Sequence, residues 1–99
     1  MTSPENGFAI LRDWKGKSLG MVVVRPDSPK DIENPWDAAR ITDVSSQKVT
    51  IFCRGEGGEE TVGFDVRGAE FHSVAACGVR LLEILLANET RLLLVKVIL

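Results

Sequence analysis

The chain has little of what most catalytic and metal sites are built from. Of its 99 residues one is histidine, two are cysteine and two are tryptophan. Cys53 and Cys77 form no Cys-x-x-Cys unit, which excludes the common zinc and dithiol motifs. Their apolar neighbours predict two buried, reduced thiols acting as small hydrophobes, which suits the cytoplasm. Charge of one sign is also missing. Twelve Lys and Arg against fourteen Asp and Glu leave a net charge of −2. The basic footprint of a dedicated nucleic-acid binder is therefore absent, and nucleic acid is not an expected partner. The longest apolar stretches, 81–87 and 92–99, carry Glu83 and Lys96. Both fall far short of the roughly 20 residues that span a bilayer, so no membrane is expected. The amino terminus has neither a basic segment nor an apolar run, so no secretory signal is read there. No internal repeat is found, and no motif implies a metal or a cofactor.

What is present is a core. With 44% apolar and 26% charged residues, the composition describes one small domain. A chain of this length buries roughly 60 to 70% of the surface its unfolded form exposes, so it holds together without a staple. Residues 1–7, punctuated by Ser, Pro, Asn and Gly, read as a flexible tail ahead of a single domain over 8–99.

Residues 8–14 read as a strand or one helical turn, and Met21-Val22-Val23-Val24 as a strand that Pro26 stops. The stretch 26–37 holds Pro26, Pro29 and Pro35 with Asp27, Asp31, Glu33 and Asp37, a solvated connection with one or two short helical turns. Its acids miss the spacing of a calcium loop. Period-two alternation then predicts three strands near 39–44, 49–54 and 62–67, joined as an antiparallel meander. The tip Gly55-Glu56-Gly57-Gly58 is no phosphate cradle, because it lacks the P-loop spacing and its acids repel phosphate. Residues 79–87 and 91–99 around Asn88-Glu89-Thr90 predict a last hairpin. The fold class is mainly β: a small antiparallel barrel or sandwich of six or seven strands with one or two short helical turns. An α+β arrangement with a helix near 69–87 is the alternative, since Phe71, Val74, Ala75, Gly78, Leu82 and Leu85 also fall at helical spacing.

Three sets of residues are candidates for function. Trp36 on the proline-rich connection, flanked by Arg25 and Arg40, suits stacking on a planar ligand or anchoring a partner. Asp43 and Ser45, in the segment Ala39-Arg40-Ile41-Thr42-Asp43-Val44-Ser45-Ser46-Gln47-Lys48-Val49, extend that set. This segment resembles the Asp-x-Ser-x-x-Gly motif of PilZ domains, with Lys48 where the motif has glycine and no Arg-x-x-x-Arg pair before it. The resemblance implies a six-stranded barrel and a nucleotide, cyclic di-GMP, as its ligand. His72, with Ser73 beside it and Cys77 five positions on, is the only group an enzyme of nucleophilic type has to work with.

The third set is apolar. Thirteen of the 21 residues from 79 to 99 are Leu, Ile or Val. A strand such as 92–99, apolar on both faces, offers one face too many for the single core of a small monomer. The expected occupant of that face is a second copy of the chain, giving a homodimer through Leu92, Leu94, Val95 and Val97. The leading functional expectation is a non-enzymatic binding domain that self-associates through this hairpin. The alternative is a small-ligand or nucleotide sensor of PilZ-like shape, and a small hydrolytic enzyme comes last. No catalytic, cofactor or metal residue is assigned, and the identity of a small-molecule or protein partner stays open.

Overall fold

Ser3-Pro4-Glu5-Asn6 is the start of a helix, not a tail. The Ser3 hydroxyl accepts the Asn6 N–H at 3.2 Å. Pro4 occupies the first turn and Glu5 sets an acid at the positive end of the dipole. The result is α1, Pro4–Trp14, in a computed structural model that describes residues 2–26, 36–55 and 58–97. The tail expected over 1–7 is thus corrected: capping chemistry commits residues 4–7 to the helix. Gly7, Leu11 and Trp14, spaced i, i+4, i+7, form its buried stripe. The helical turns expected in the 26–37 connection fall largely outside the described residues.

Among the described residues seven strands follow: β1 (Ser18–Val24), β2 (Trp36–Val44), β3 (Lys48–Gly55), β4 (Gly58–Asp65), β5 (Glu70–Ala76), β6 (Val79–Leu85) and β7 (Arg91–Val97). They make one sheet in the order β4-β3-β2-β1-β7-β6-β5, every neighbour antiparallel. The mainly β expectation holds, and the helix near 69–87 does not form. Those residues are the β5–β6 hairpin, turned at Cys77 and Gly78, whose φ values of 54° and 76° are both positive. That is the geometry two-residue hairpin loops prefer.

The two edge strands, β4 and β5, are neighbours in sequence. Only residues 66–69 separate them, with Val66 N–H donating to Gln47 O at 2.9 Å and Ala69 N–H to Val66 O at 3.2 Å. The sheet therefore curls until its edges meet at that turn, without pairing into a closed barrel. Side chains from all seven strands share one cluster, among them Met21, Ile41, Ile51, Phe64, Phe71, Ile84 and Leu92. The helix covers this concave side, contacting β2 and β5. Thr2 N–H donates to Phe71 O at 3.2 Å and the Thr2 hydroxyl accepts from Ser73 N–H at 2.9 Å, so the chain start is tied to the free edge of β5. At the other end of the helix Gly16 N–H donates to Ile41 O at 2.9 Å.

Candidate functional site

With most of the concave face consumed by the core, the convex face is the larger surface left for function. Register divides that face in two. Across β2, β3 and β4 it is polar: Arg40 lies opposite Phe52, Phe52 opposite Thr61, and Arg54 opposite Glu59. The alternation that buries Ile51 and Cys53 turns Phe52 and Arg54 outward. Ser18, Ala38, Ala39, Arg40, Phe52 and Arg54 line a hollow of about 140 Å³. Phe52 is half-buried between two exposed guanidinium groups. Arg54 is held by Glu59 at 2.8 Å, and Arg40 makes no ion pair among the described residues.

Arg40 is the one sequence candidate placed at this shelf. Arg25 is not: Arg40 pairs with Ser18 at the start of β1, and Arg25 follows its end, roughly 20 Å away at the rise of a strand. The Trp36 backbone pairs with Met21, and its side chain lies outside the described residues. Asp43 is exposed at a β-bulge, where the register shifts between Ile41 and Asp43 and Thr42 donates to Thr50 O at 3.2 Å. Ser45 is occupied by its own hairpin. Its hydroxyl accepts from Gln47 and Lys48 N–H, at 3.3 and 3.0 Å, and sits 3.2 Å from Lys48 O, to which it donates. The turn that this motif-like sequence builds thus engages the Ser45 hydroxyl within its own hairpin. Phe52 and Arg54 were not singled out from sequence, although period two places both on the face of Arg40.

Beside the shelf, Gln47, Lys48, Gly63, Asp65 and Arg67 line a wider hollow of about 310 Å³. The Lys48 side chain crosses Gly63, where a Cβ would collide with it. Asp65 accepts two bonds from Arg67 Nε, at 3.0 and 3.2 Å, and one from Nη2 at 2.7 Å. These bonds, with one from the Arg67 backbone N–H, hold the carboxyl down at about 2. The charges are exposed and satisfied by each other, which leaves the hollow with no uncommitted acid or base from this pair.

The rest of the convex face, across β5, β6, β7 and β1, is mainly apolar. One row reads Val74, Leu81, Val95, Gly20 and the next Ala76, Val79, Val97. Leu93 and Val22 extend it toward a row that also carries His72 and Glu83, and Leu85 and Val24 lie in a row with Glu70 and Arg91. Val74 is 59% exposed and Val97 63%. Of the expected interface residues, Leu92 and Leu94 are fully buried, at 0% exposure, because parity turns them into the core with Leu82 and Ile84. The outward residues of β7 are Arg91, Leu93, Val95 and Val97. His72 and Cys77 are not brought together: His72 faces out of β5 opposite Glu83, and Cys77 is at the exposed tip five positions along an extended chain. Buried Cys53 and exposed Cys77 correct the expectation of two buried thiols. Burial, reinforced by Glu60, pushes the Cys53 thiol up to about 11.

Among the described residues no group of three or more His, Cys, Asp and Glu side chains is placed to hold a metal ion, and no helix is long and apolar enough to cross a membrane. No protein-family model, curated protein or solved structure matches the chain.

Proposed function

We propose that this chain is a non-enzymatic interaction domain that self-associates by packing the convex face of β5, β6, β7 and β1 against the same face of a second copy. The observation that carries the reading is the unbroken apolar row Val74, Leu81, Val95, Gly20, continued by Val79 and Val97 and by Leu93 and Val22. Four strands about 4.8 Å apart and five or six residues long present a patch of several hundred Å². Monomers rarely leave so much contiguous apolar surface in water. Two sheets packed face to face about 10 Å apart bury such a patch, and a two-fold axis lets one patch serve both sides. Glu70, His72, Glu83 and Arg91 lie to one side of it and supply a polar rim. Two free thiols suit a reducing compartment, which supports a cytoplasmic setting.

Sedimentation equilibrium from low to high micromolar concentration tests the reading. The expected result is a dimer that Val95→Asp converts to a folded monomer, since Val95 points away from the core. A wild-type chain that stays monomeric throughout, or a Val95→Asp variant that stays dimeric, overturns it.

A second reading is a sensor of an anionic planar ligand, such as a nucleotide, at Arg40, Phe52 and Arg54. The aromatic ring between two guanidinium groups favours it. The hollow of about 140 Å³ there is smaller than the 300 Å³ or more of most ligand pockets, which ranks this reading second. A nucleotide screen by thermal shift decides: stabilisation that grows with ligand concentration and disappears in Phe52→Ala supports the sensor, and a flat response sinks it.

A further inference from the structure

Arg80 on β6 and Lys96 on β7 are direct cross-strand partners. They occupy the concave side, one row beyond the fully buried pair Leu82 and Leu94. The third member of their row is Ala75 on β5, an exposed residue too short to screen them. Two cations directly opposite each other in a ladder repel, and both are half-buried, where water screens them less. Among the described residues no carboxylate answers either one. The ion pairs there are Lys17–Asp13, Arg54–Glu59 and Arg67–Asp65. The Nε of Arg80 is buried and donates to nothing. Lys96 Nζ finds only the Val97 carbonyl, at 3.2 Å.

Register thus holds two like charges together and leaves a guanidinium N–H without an acceptor. A buried donor left unmade is costly, and a bound oxyanion on the rest of the guanidinium and on the ammonium relieves the repulsion between the two cations. We propose that Arg80 and Lys96 form an anion site that takes a phosphate group, with the guanidinium fork and the ammonium on its oxygens and the small Ala75 leaving the approach open. Phosphate carries more than one negative charge at neutral pH, so it neutralises both cations, whereas a carboxylate answers only one. The site lies on the opposite side of the sheet from the self-association patch and does not depend on it.

The experiment is a thermal-shift titration of the full chain with inorganic phosphate, against sodium chloride at matched ionic strength and against sodium acetate. Arg80→Met and Lys96→Met are measured alongside, with phosphorus NMR line broadening as a direct readout of binding. Wild-type Tm is expected to rise with phosphate, on the order of 10 °C at a hundredfold excess over Kd, with no such rise in chloride. In phosphate-free buffer each methionine variant should melt above the wild type, because one of two opposed charges is gone, and its phosphate response should be lost. If one variant fails to fold, the other and the NMR broadening still decide. A wild-type response no greater than that of chloride, a response retained in both variants, or acetate acting as strongly as phosphate overturns the proposal.

Discussion

Gly7 on α1 lies against the ring of Phe71 on β5, so close that a Cβ at position 7 would overlap ring carbons and stand 3.0 Å from the Phe71 Cβ. This contact lets the helix settle into the curl of the sheet, and it explains a glycine inside an 11-residue helix. In an open helix Gly→Ala stabilises by about 1 kcal/mol. Here a methyl group must displace a fully packed ring, at a cost of about 1–3 kcal/mol. Gly7→Ala is therefore expected to lower the urea midpoint with little change in slope. A raised midpoint would show that helix propensity, not packing, governs the position.

Cys77 and Gly78 make a two-residue turn with both φ values positive. Cysteine has no aptitude for that conformation, whereas Asn before Gly is the favoured pair for it. Replacing Cys77 by Asn should stabilise the chain by about 0.5–1 kcal/mol in the same unfolding experiment. A loss of stability would mean that the cysteine makes a contact the geometry does not reveal.

That turn also marks the limit of what was legible in the sequence. The meander over β2, β3 and β4 was readable because Ile41, Ile51 and Phe64 alternate with polar residues and because glycine and serine punctuate the turns. The β5–β6 hairpin was ambiguous. Phe71, Val74, Ala75 and Gly78 also fit a helical stripe, and Cys-Gly is not a pair that announces a turn. The helix α1 was legible only as a strand or one helical turn over 8–14, although Ser3 and Pro4 carry its start, since a glycine in its second turn has no value until Phe71 is seen opposite. For the candidate sites, alternation implied that Phe52 and Arg54 accompany Arg40. It could not show that Leu92 and Leu94 face inward, because every residue of 92–95 is apolar and either parity buries leucine. Only the pairing with Leu82 and Ile84 decides it.

The two thiols should differ sharply in reactivity. Burial raises the Cys53 thiol to about 11, while Cys77 stands exposed at the hairpin tip. Thiolate is the reactive form, so iodoacetamide at pH 8 is expected to label Cys77 within minutes and Cys53 only after unfolding, as peptide mass spectrometry would show. The linkage has a sign. The folded-state value lies above the unfolded one, near 8.5–9, so the contribution of Cys53 is complete below about pH 8.5 and declines as pH rises toward 11. Equal labelling of both cysteines at pH 8 would contradict the buried placement.

Asp65 behaves in the opposite sense. Hydrogen bonds from the Arg67 side chain, then from its backbone N–H, hold the carboxyl at about 2. Its stabilising contribution is present above the unfolded value near 3.9 and is lost as pH falls toward 2. In Arg67→Met the carboxyl should titrate back toward the ordinary carboxylate range, a shift that carbon-13 NMR of the side chain resolves. A wild-type midpoint already in the ordinary range would mean that the pair is not formed in solution.

Leu93 and Leu94 carry the sharpest contrast, since adjacent residues of one strand are assigned to opposite faces. Leu94 is fully buried, paired with Leu82 and Met21. Leu94→Ala should therefore cost about 2–5 kcal/mol through lost transfer energy and the cavity left behind. Leu93, on the convex side between Glu83 and Val22, is only half-buried in the monomer. The same truncation there should cost about 1 kcal/mol or less in a monomer, and more as protein concentration rises if the face is occupied by a second copy. Urea unfolding of both variants at two concentrations separates the cases: Leu94→Ala is uniformly weak, and Leu93→Ala is weak only against a concentrated wild type. Equal costs at both concentrations would reject the facing of this strand and, with it, the surface on which self-association is proposed.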